Sequence, residues 1–205
     1  GWTHLVYMCA DNDLESFAVQ DLNEMSRPYM FGDAGDDLPR ELPDDFHLLV
    51  LVDRGGRHDL GEYDSLNSVL GFPEDPKFEG SYVLELQPGG QWKAIRSFGE
   101  INVDRGIHLT RFISESLQLY PASRHVALSF WDHGSGWPGF GGDNSANEYS
   151  VMTLPTMQRS VAEGLRLGRR ERFDLIGWDA CLMGAYTVAA AMLPLASHFL
   201  FSEEL

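Results

Sequence analysis

HVALSFW (His125–Trp131) runs into Asp132-His133-Gly134, and FDLIGW (Phe173–Trp178) runs into Asp179-Ala180-Cys181. These two stretches decide the fold. Each is an apolar run of strand length that stops at polar and small residues. A run that is apolar at successive rather than alternate positions belongs to a strand covered on both faces, as in a mostly parallel sheet. HLVYMC (His4–Cys9) and HLLVLV (His47–Val52) have the same character, the latter ending at Asp53-Arg54-Gly55-Gly56, and HFLF (His198–Phe201) reads as a fifth strand.

Helical spacing fills the intervals. Asp11, Asn12 and Asp13 offer N-cap side chains to a helix reaching about Met25. Its apolar residues Leu14, Phe17, Ala18, Leu22 and Met25 step by three and four, and Pro28 ends it. Residues 104–120 put Ile107, Phe112, Ile113 and Leu117 on one face before Pro121. Thr153 and Pro155 open a helix lined by Leu154, Met157, Val161 and Leu165. Leu182–Leu193 reads as a helix of small residues closed by Pro194. Tyr82–Leu86 and Gln91–Phe98 flank Pro88-Gly89-Gly90, which predicts a hairpin insertion near 81–98. Residues 32–45, 57–80 and Gly134–Asn147 read as loops or irregular segments. The resulting order, β-α-β-hairpin-α-β-α-β-α-β, is that of a three-layer α/β domain, in which functional residues gather at the carboxyl ends of the strands.

The whole chain agrees with this. At about 150 residues per domain, 205 residues read as a single domain over 1–205. A hydrophobic content of 43% with 22% charged residues excludes disorder for the bulk of it. The longest apolar runs fall short of the ~20 residues that cross a bilayer, so no membrane partner is expected. No basic-then-apolar leader opens the chain, which places the protein inside the cell or leaves it as a secreted protein whose signal has been removed. Asp and Glu number 31 against 15 Lys and Arg, a net charge of -16 that repels a phosphate backbone and argues against nucleic acid as a partner. The same charge suits solubility, cationic ligands or basic peptides.

In a parallel sheet His133 and Cys181 emerge on one rim. A cysteine beside an imidazole is a nucleophile with its base, and the thiolate is the reactive form. Cys181 is expected to gain further from the helix predicted to begin beside it. Gly134 and Ala180 are small enough for a substrate backbone to approach, and the N–H groups of Gly134 and Cys181 can hold an oxyanion. Cys9, inside an apolar strand, reads as a structural thiol, although a Cys9–Cys181 bridge remains open on sequence alone. Zinc finds no third ligand beside Cys181 and His133 at any recognised spacing. Asp11, Asp13 and Glu15 are dense in oxygen but lack the calcium-loop spacing and read as helix-capping residues. Gly134-Ser135-Gly136 is not the elbow of a serine hydrolase.

Several segments together closely resemble the clostripain family of cysteine peptidases, of the same clan as caspases, legumains and gingipains. They are Trp2–Ala10 with Asp11-Asn12-Asp13-Leu14-Glu15, Asn23-Glu24-Met25, Val52-Asp53-Arg54, Gly99-Glu100-Ile101-Asn102, Trp131–Trp137, Asp174–Gly184 and Ser202-Glu203-Glu204. The resemblance implies a caspase-like fold, a catalytic dyad of His133 and Cys181, and cleavage after Arg or Lys. It places Asp179 in the pocket that binds the basic P1 side chain, where a buried carboxylate suits a guanidinium; the residue taken alone also reads as a helix N-cap. Glu203 and Glu204 read as a solvated chain end or as part of the cleft. No cofactor is expected, except that calcium is implied by its use in some relatives. Tyr186-Thr187-Val188 stands where relatives often carry a Glu, a departure that concerns helix packing. Relatives also extend well past the Ser-Glu-Glu segment. The domain is therefore expected to be incomplete at its C-terminal end, with a further segment or second chain as partner. Two rival readings are a non-catalytic module that binds basic peptides and a metal-dependent hydrolase.

Overall fold

A computed structural model describes residues 1–31, 40–55, 79–144 and 150–203; most of the segments read as loops at 32–45 and 57–80, and Glu204, lie outside the described residues. In chain order the elements are β1 (Trp2–Cys9), α1 (Glu15–Phe31), β2 (Phe46–Arg54), β3 (Gly80–Leu86), β4 (Trp92–Gly99), α2 (Gly106–Leu119), β5 (His125–Trp131), β6 (Phe140–Asp143), β7 (Ser150–Met152), α3 (Leu154–Leu167), β8 (Phe173–Asp179), α4 (Tyr186–Met192) and β9 (Ala196–Leu200). Seven strands form one sheet in the order β4-β3-β2-β1-β5-β8-β9. The five apolar runs become its parallel strands, and the β3–β4 hairpin extends it antiparallel at the β2 edge.

Strand alternation divides the core into two layers. Leu5, Tyr7 and Cys9 of β1 face a larger cluster with Phe112 and Ile113 of α2, Met157 and Val161 of α3, and Val188 of α4. Val6 and Met8, with Ala10 beyond the strand, face a smaller one with Ala18 and Leu22 of α1, Trp92 and Trp131. Both faces of β1 are thus dry, which is why its sequence does not alternate.

Four expectations are corrected. Helix α1 passes through Pro28 to Phe31 instead of ending there. Proline removes only the N–H that would have bonded the Glu24 carbonyl, and the turn before it is anchored from outside by the Trp92 indole, which donates to Leu22 O (3.1 Å). Ile107 is 63% exposed, because a helix turns ~100° per residue and sets it on the far side from Leu109 and Ile113. Part of the Gly134–Asn147 segment is not loop: β6 pairs antiparallel with β7, and Phe140 is buried. The last helix begins at Tyr186, not Leu182, since Leu182 holds a left-handed φ of 61° and the Gly184 N–H bonds the Ser202 carbonyl (2.7 Å).

Candidate active site

Register positions the two central side chains. In the β5–β8 ladder Trp131 stands opposite Asp179, so each chain leaves the sheet at the same level. The Asp132 N–H still bonds the Asp179 carbonyl at 3.3 Å. His133 and Cys181 lie two residues beyond that paired rung, and both line one open cleft of about 420 Å³. Gly134 then packs against the turn that carries Cys181. A Cβ at Gly134 would overlap the Cys181 carbonyl oxygen and approach Met183 Cγ to 2.8 Å, so only glycine fits without movement. The chain continues into a bridge between Gly134 and Phe140, whose bonds use the Ser135 and Gly141 N–H groups and not that of Gly134.

His133 is half-buried, and its Nε2 lies 2.8 Å from Asp13 Oδ1. The sequence predicts a capping role for Asp13; the structure pairs it instead with His133, 120 residues away. Its neighbour Asn12 accepts from the Leu14 N–H (2.9 Å), a side-chain turn just ahead of α1. The Asn12 amide also donates to Asp132 Oδ1 (2.9 Å) and to the Gly142 carbonyl (2.8 Å), so it ties the end of β1 to both sides of the His133 loop. Burial pushes the Asp132 carboxyl up to about 8, against the opposing pull of the His133 N–H and the Asn12 amide.

Asp179 ends β8 at the cleft and is exposed, not buried as expected. It does not cap α4, which begins at Tyr186 with Ala185 as its N-cap. A second carboxylate, Asp21 of α1, lines the same cleft and accepts from the Trp131 indole at 2.6 Å. Desolvation raises its pKa, and Asp179 adds to the shift. Nothing in the sequence pointed to Asp21, because α1 meets the cleft only through the tertiary fold. Ser202 also lines the cleft, whereas Glu203 is exposed outside it. Both cysteines are free thiols. Cys9 is fully buried, and desolvation followed by nearby carboxylates, Asp132 first, pushes its thiol pKa well up. Cys181 receives no helix N-terminus, a second correction that follows from the late start of α4.

The structure disperses the three acidic residues weighed as oxygen ligands. Asp13 goes to His133, and Glu15 forms a buried ion pair with Arg54 (3.1 Å). Asp11 joins Glu100 and Asp143, the three presenting carboxylate oxygens within 4.8 Å of one another.

The model of the clostripain family matches residues 6–205. Clostripain of Hathewaya histolytica is 27% identical over 218 residues, covering 93% of this chain and 36% of that protein. Two solved structures share the fold. A secreted C11 cysteine protease from Bacteroides thetaiotaomicron, in complex with an irreversible peptide inhibitor, has a TM-score of 0.70 at 24% identity, over 97% of this chain and 47% of that one. An inactive zymogen C11 protease from Parabacteroides distasonis has a TM-score of 0.65 at 19% identity, over 100% and 49%. The expected caspase-like α/β architecture accords with them. The chain spans about a third to a half of the length of these relatives.

Proposed function

Because the chain belongs to the clostripain family, we propose that it is the part of a cysteine endopeptidase that carries the catalytic dyad and cleaves after Arg or Lys. The observation that carries this reading is the shared rung Trp131–Asp179, which sets His133 and Cys181 at matching positions over one cleft. Cys181 Sγ attacks the scissile carbonyl carbon. With His133 Nε2 directed at Asp13, Nδ1 accepts the thiol proton and delivers it to the leaving amine. The Gly134 and Cys181 N–H groups stabilise the oxyanion. Water then hydrolyses the thioester, and His133 takes its proton. Asp179 pairs with the P1 guanidinium or ammonium, and Asp21 adds a second carboxylate to the same cleft.

The test compares wild type, Cys181→Ala and Cys9→Ala on peptides with Arg, Lys, Asp or Asn at P1. Cleavage after Arg and Lys, abolished by Cys181→Ala and largely kept by Cys9→Ala, supports the reading. Equal loss in the two folded variants refutes the nucleophile, and cleavage after Asp but not Arg refutes the specificity. Binding of basic peptides without cleavage would favour the non-catalytic module.

A further inference from the structure

A cavity of about 350 Å³ lies between the β3–β4 hairpin and α2, and it shares no lining residue with the cleft of His133 and Cys181. Its floor is apolar and buried: Leu49 of β2, Val83 of β3 and Phe112 of α2. Strand β4 forms a wall, and its pairing with β3 is irregular there. Arg96 stands opposite Val83 but Ala94 opposite Leu84, so Ile95 is an extra residue; Gly99 opposite Ser81 and Ser97 opposite Tyr82 make Phe98 a second. Both extra residues line the cavity. In a regular strand Lys93 and Arg96, three apart, would point to opposite faces. The bulge at Ile95 brings them to one face, because each shares a face with its cross-strand partner, and those partners, Glu85 and Val83, are two apart.

The chain has 15 Lys and Arg against 31 Asp and Glu, yet cations are in surplus here. Glu115 of α2 takes both Arg96 (3.0 Å) and Arg111 (2.8 Å), so one carboxylate answers two guanidiniums. Both guanidiniums lie over the Phe98 ring, 5.8 and 5.4 Å from its centroid. Lys93 is exposed and makes no ion pair among the described residues. Glu85 stands opposite it but accepts from the Gln87 amide (2.9 Å). Three cations thus stand against two carboxylates, leaving one positive charge beside an apolar floor. Ile95 and Leu119, both exposed, complete apolar walls that a ligand can reach. Small-molecule sites have this make-up, an apolar lining with a few placed polar groups in about 300–1,000 Å³.

We propose that this cavity binds a small amphipathic carboxylate, an acyl chain that ends in one carboxylate. The chain lies on Leu49, Val83 and Phe112, and the carboxylate meets Lys93 and Arg96. A neutral apolar ligand leaves the surplus charge unanswered, and a cationic one is repelled by it. Burial of methylene groups on the floor supplies the affinity, and the cations supply the orientation and the choice of anion. The bound ligand joins the outer hairpin to α2, two parts already linked at the surface by the Arg96–Glu115 pair.

The test is titration calorimetry on the whole protein as its Cys181→Ala variant. Decanoate, decanol and decylamine are compared below their micellar concentrations, with N-acetyl-Ala-Leu as the other source of a carboxylate on an apolar body. The expected result is saturable single-site binding of decanoate with a sub-millimolar Kd, with decanol and the peptide acid weaker by about fivefold or more and decylamine weaker still. Lys93→Gln should weaken decanoate by about three- to tenfold and leave decanol unchanged. Ile95→Glu sets a carboxylate in the wall and should weaken decanoate by about tenfold or more. Both positions are exposed, so both variants should fold with a Tm close to that of the parent. No saturable binding of decanoate, or undiminished binding in Lys93→Gln and Ile95→Glu, overturns the site. Decanol or decylamine matching decanoate overturns the choice of an anion, and tighter binding of the peptide acid overturns that of a free acyl chain. The readout is independent of catalysis, so this proposal and the peptidase reading fail separately.

Discussion

Gly134→Ala isolates the contact on which the cleft is built. Gly134 is not among the glycines with positive φ, unlike Gly136 at 71°, so alanine meets no backbone strain there. What it meets is the turn carrying Cys181: its Cβ would overlap the Cys181 carbonyl and sit 2.8 Å from Met183 Cγ, where ordinary contact begins at 3.4 Å. The carbonyl is backbone and cannot rotate away. The His133 loop and the Cys181 turn must therefore part, and on the order of 1 Å of misplacement costs about 100-fold in rate. Overpacking of this kind destabilises by about 1–3 kcal/mol, or roughly 2–12 °C in Tm at this chain length. The assay is kcat/KM on an Arg peptide, read beside Tm. We expect kcat to carry most of the loss, because Asp179, the carboxylate proposed to hold P1, lies before the disturbed turn. Activity within threefold of wild type at an unchanged Tm would show that Gly134 does not seat the two residues.

Asp179→Ala should lower kcat/KM for Arg substrates by about 10–150-fold, the about 1.5–3 kcal/mol of a hydrogen bond to a charged group; an equal loss for substrates with a neutral P1 would remove it from the pocket. Asp13→Asn removes a pair whose side chains are 77% and 42% exposed. Exposed pairs are worth about 0–1 kcal/mol, so kcat should fall by no more than about fivefold, at constant KM and with recovery in Asp13→Glu; a hundredfold loss would mean that the pair acts as a buried one. Intact-mass analysis of wild type against Cys181→Ala should find any self-cleavage at Arg166–Arg172 or beyond Leu205, because Gly134–Gln158 contains no Lys or Arg. A Cys181-dependent cut within Gly134–Gln158 would refute the basic specificity.

The inner parallel strands were legible because burial on both faces leaves a run of apolar residues, as in HVALSFW and HLLVLV. The hairpin was legible because Pro88-Gly89-Gly90 is local turn chemistry, and Gly89 and Gly90 do take φ values of 85° and 80°. The misread helix boundaries share one cause, which is a distant partner. Pro28 continues a helix whose neighbouring turn is held by Trp92, seventy residues away. Leu182 and Gly184 are held out of a helix beside a carbonyl at Ser202. Neither contact leaves a mark on the local pattern.

The candidate site divides in the same way. His133 and Cys181 could be placed because a strand end is a local feature and a parallel ladder converts two strand ends into one rim. The roles of Asp11, Asp13 and Glu15 could not, although all three lie within one turn of chain. Beyond the end of β1 the backbone leaves the sheet, so successive side chains point to different neighbours. Asp13 meets the loop after β5, Glu15 meets the Arg54 of β2, and Asp11 meets Glu100 and Asp143. Read in sequence, the three acids suggest one oxygen cluster; in the fold they serve three places, and the cluster that does form draws its other members from β6 and from the segment after β4. A carboxylate's spacing predicts its partner only while the backbone stays regular; past the end of a strand the partner is whichever loop the fold brings beside it.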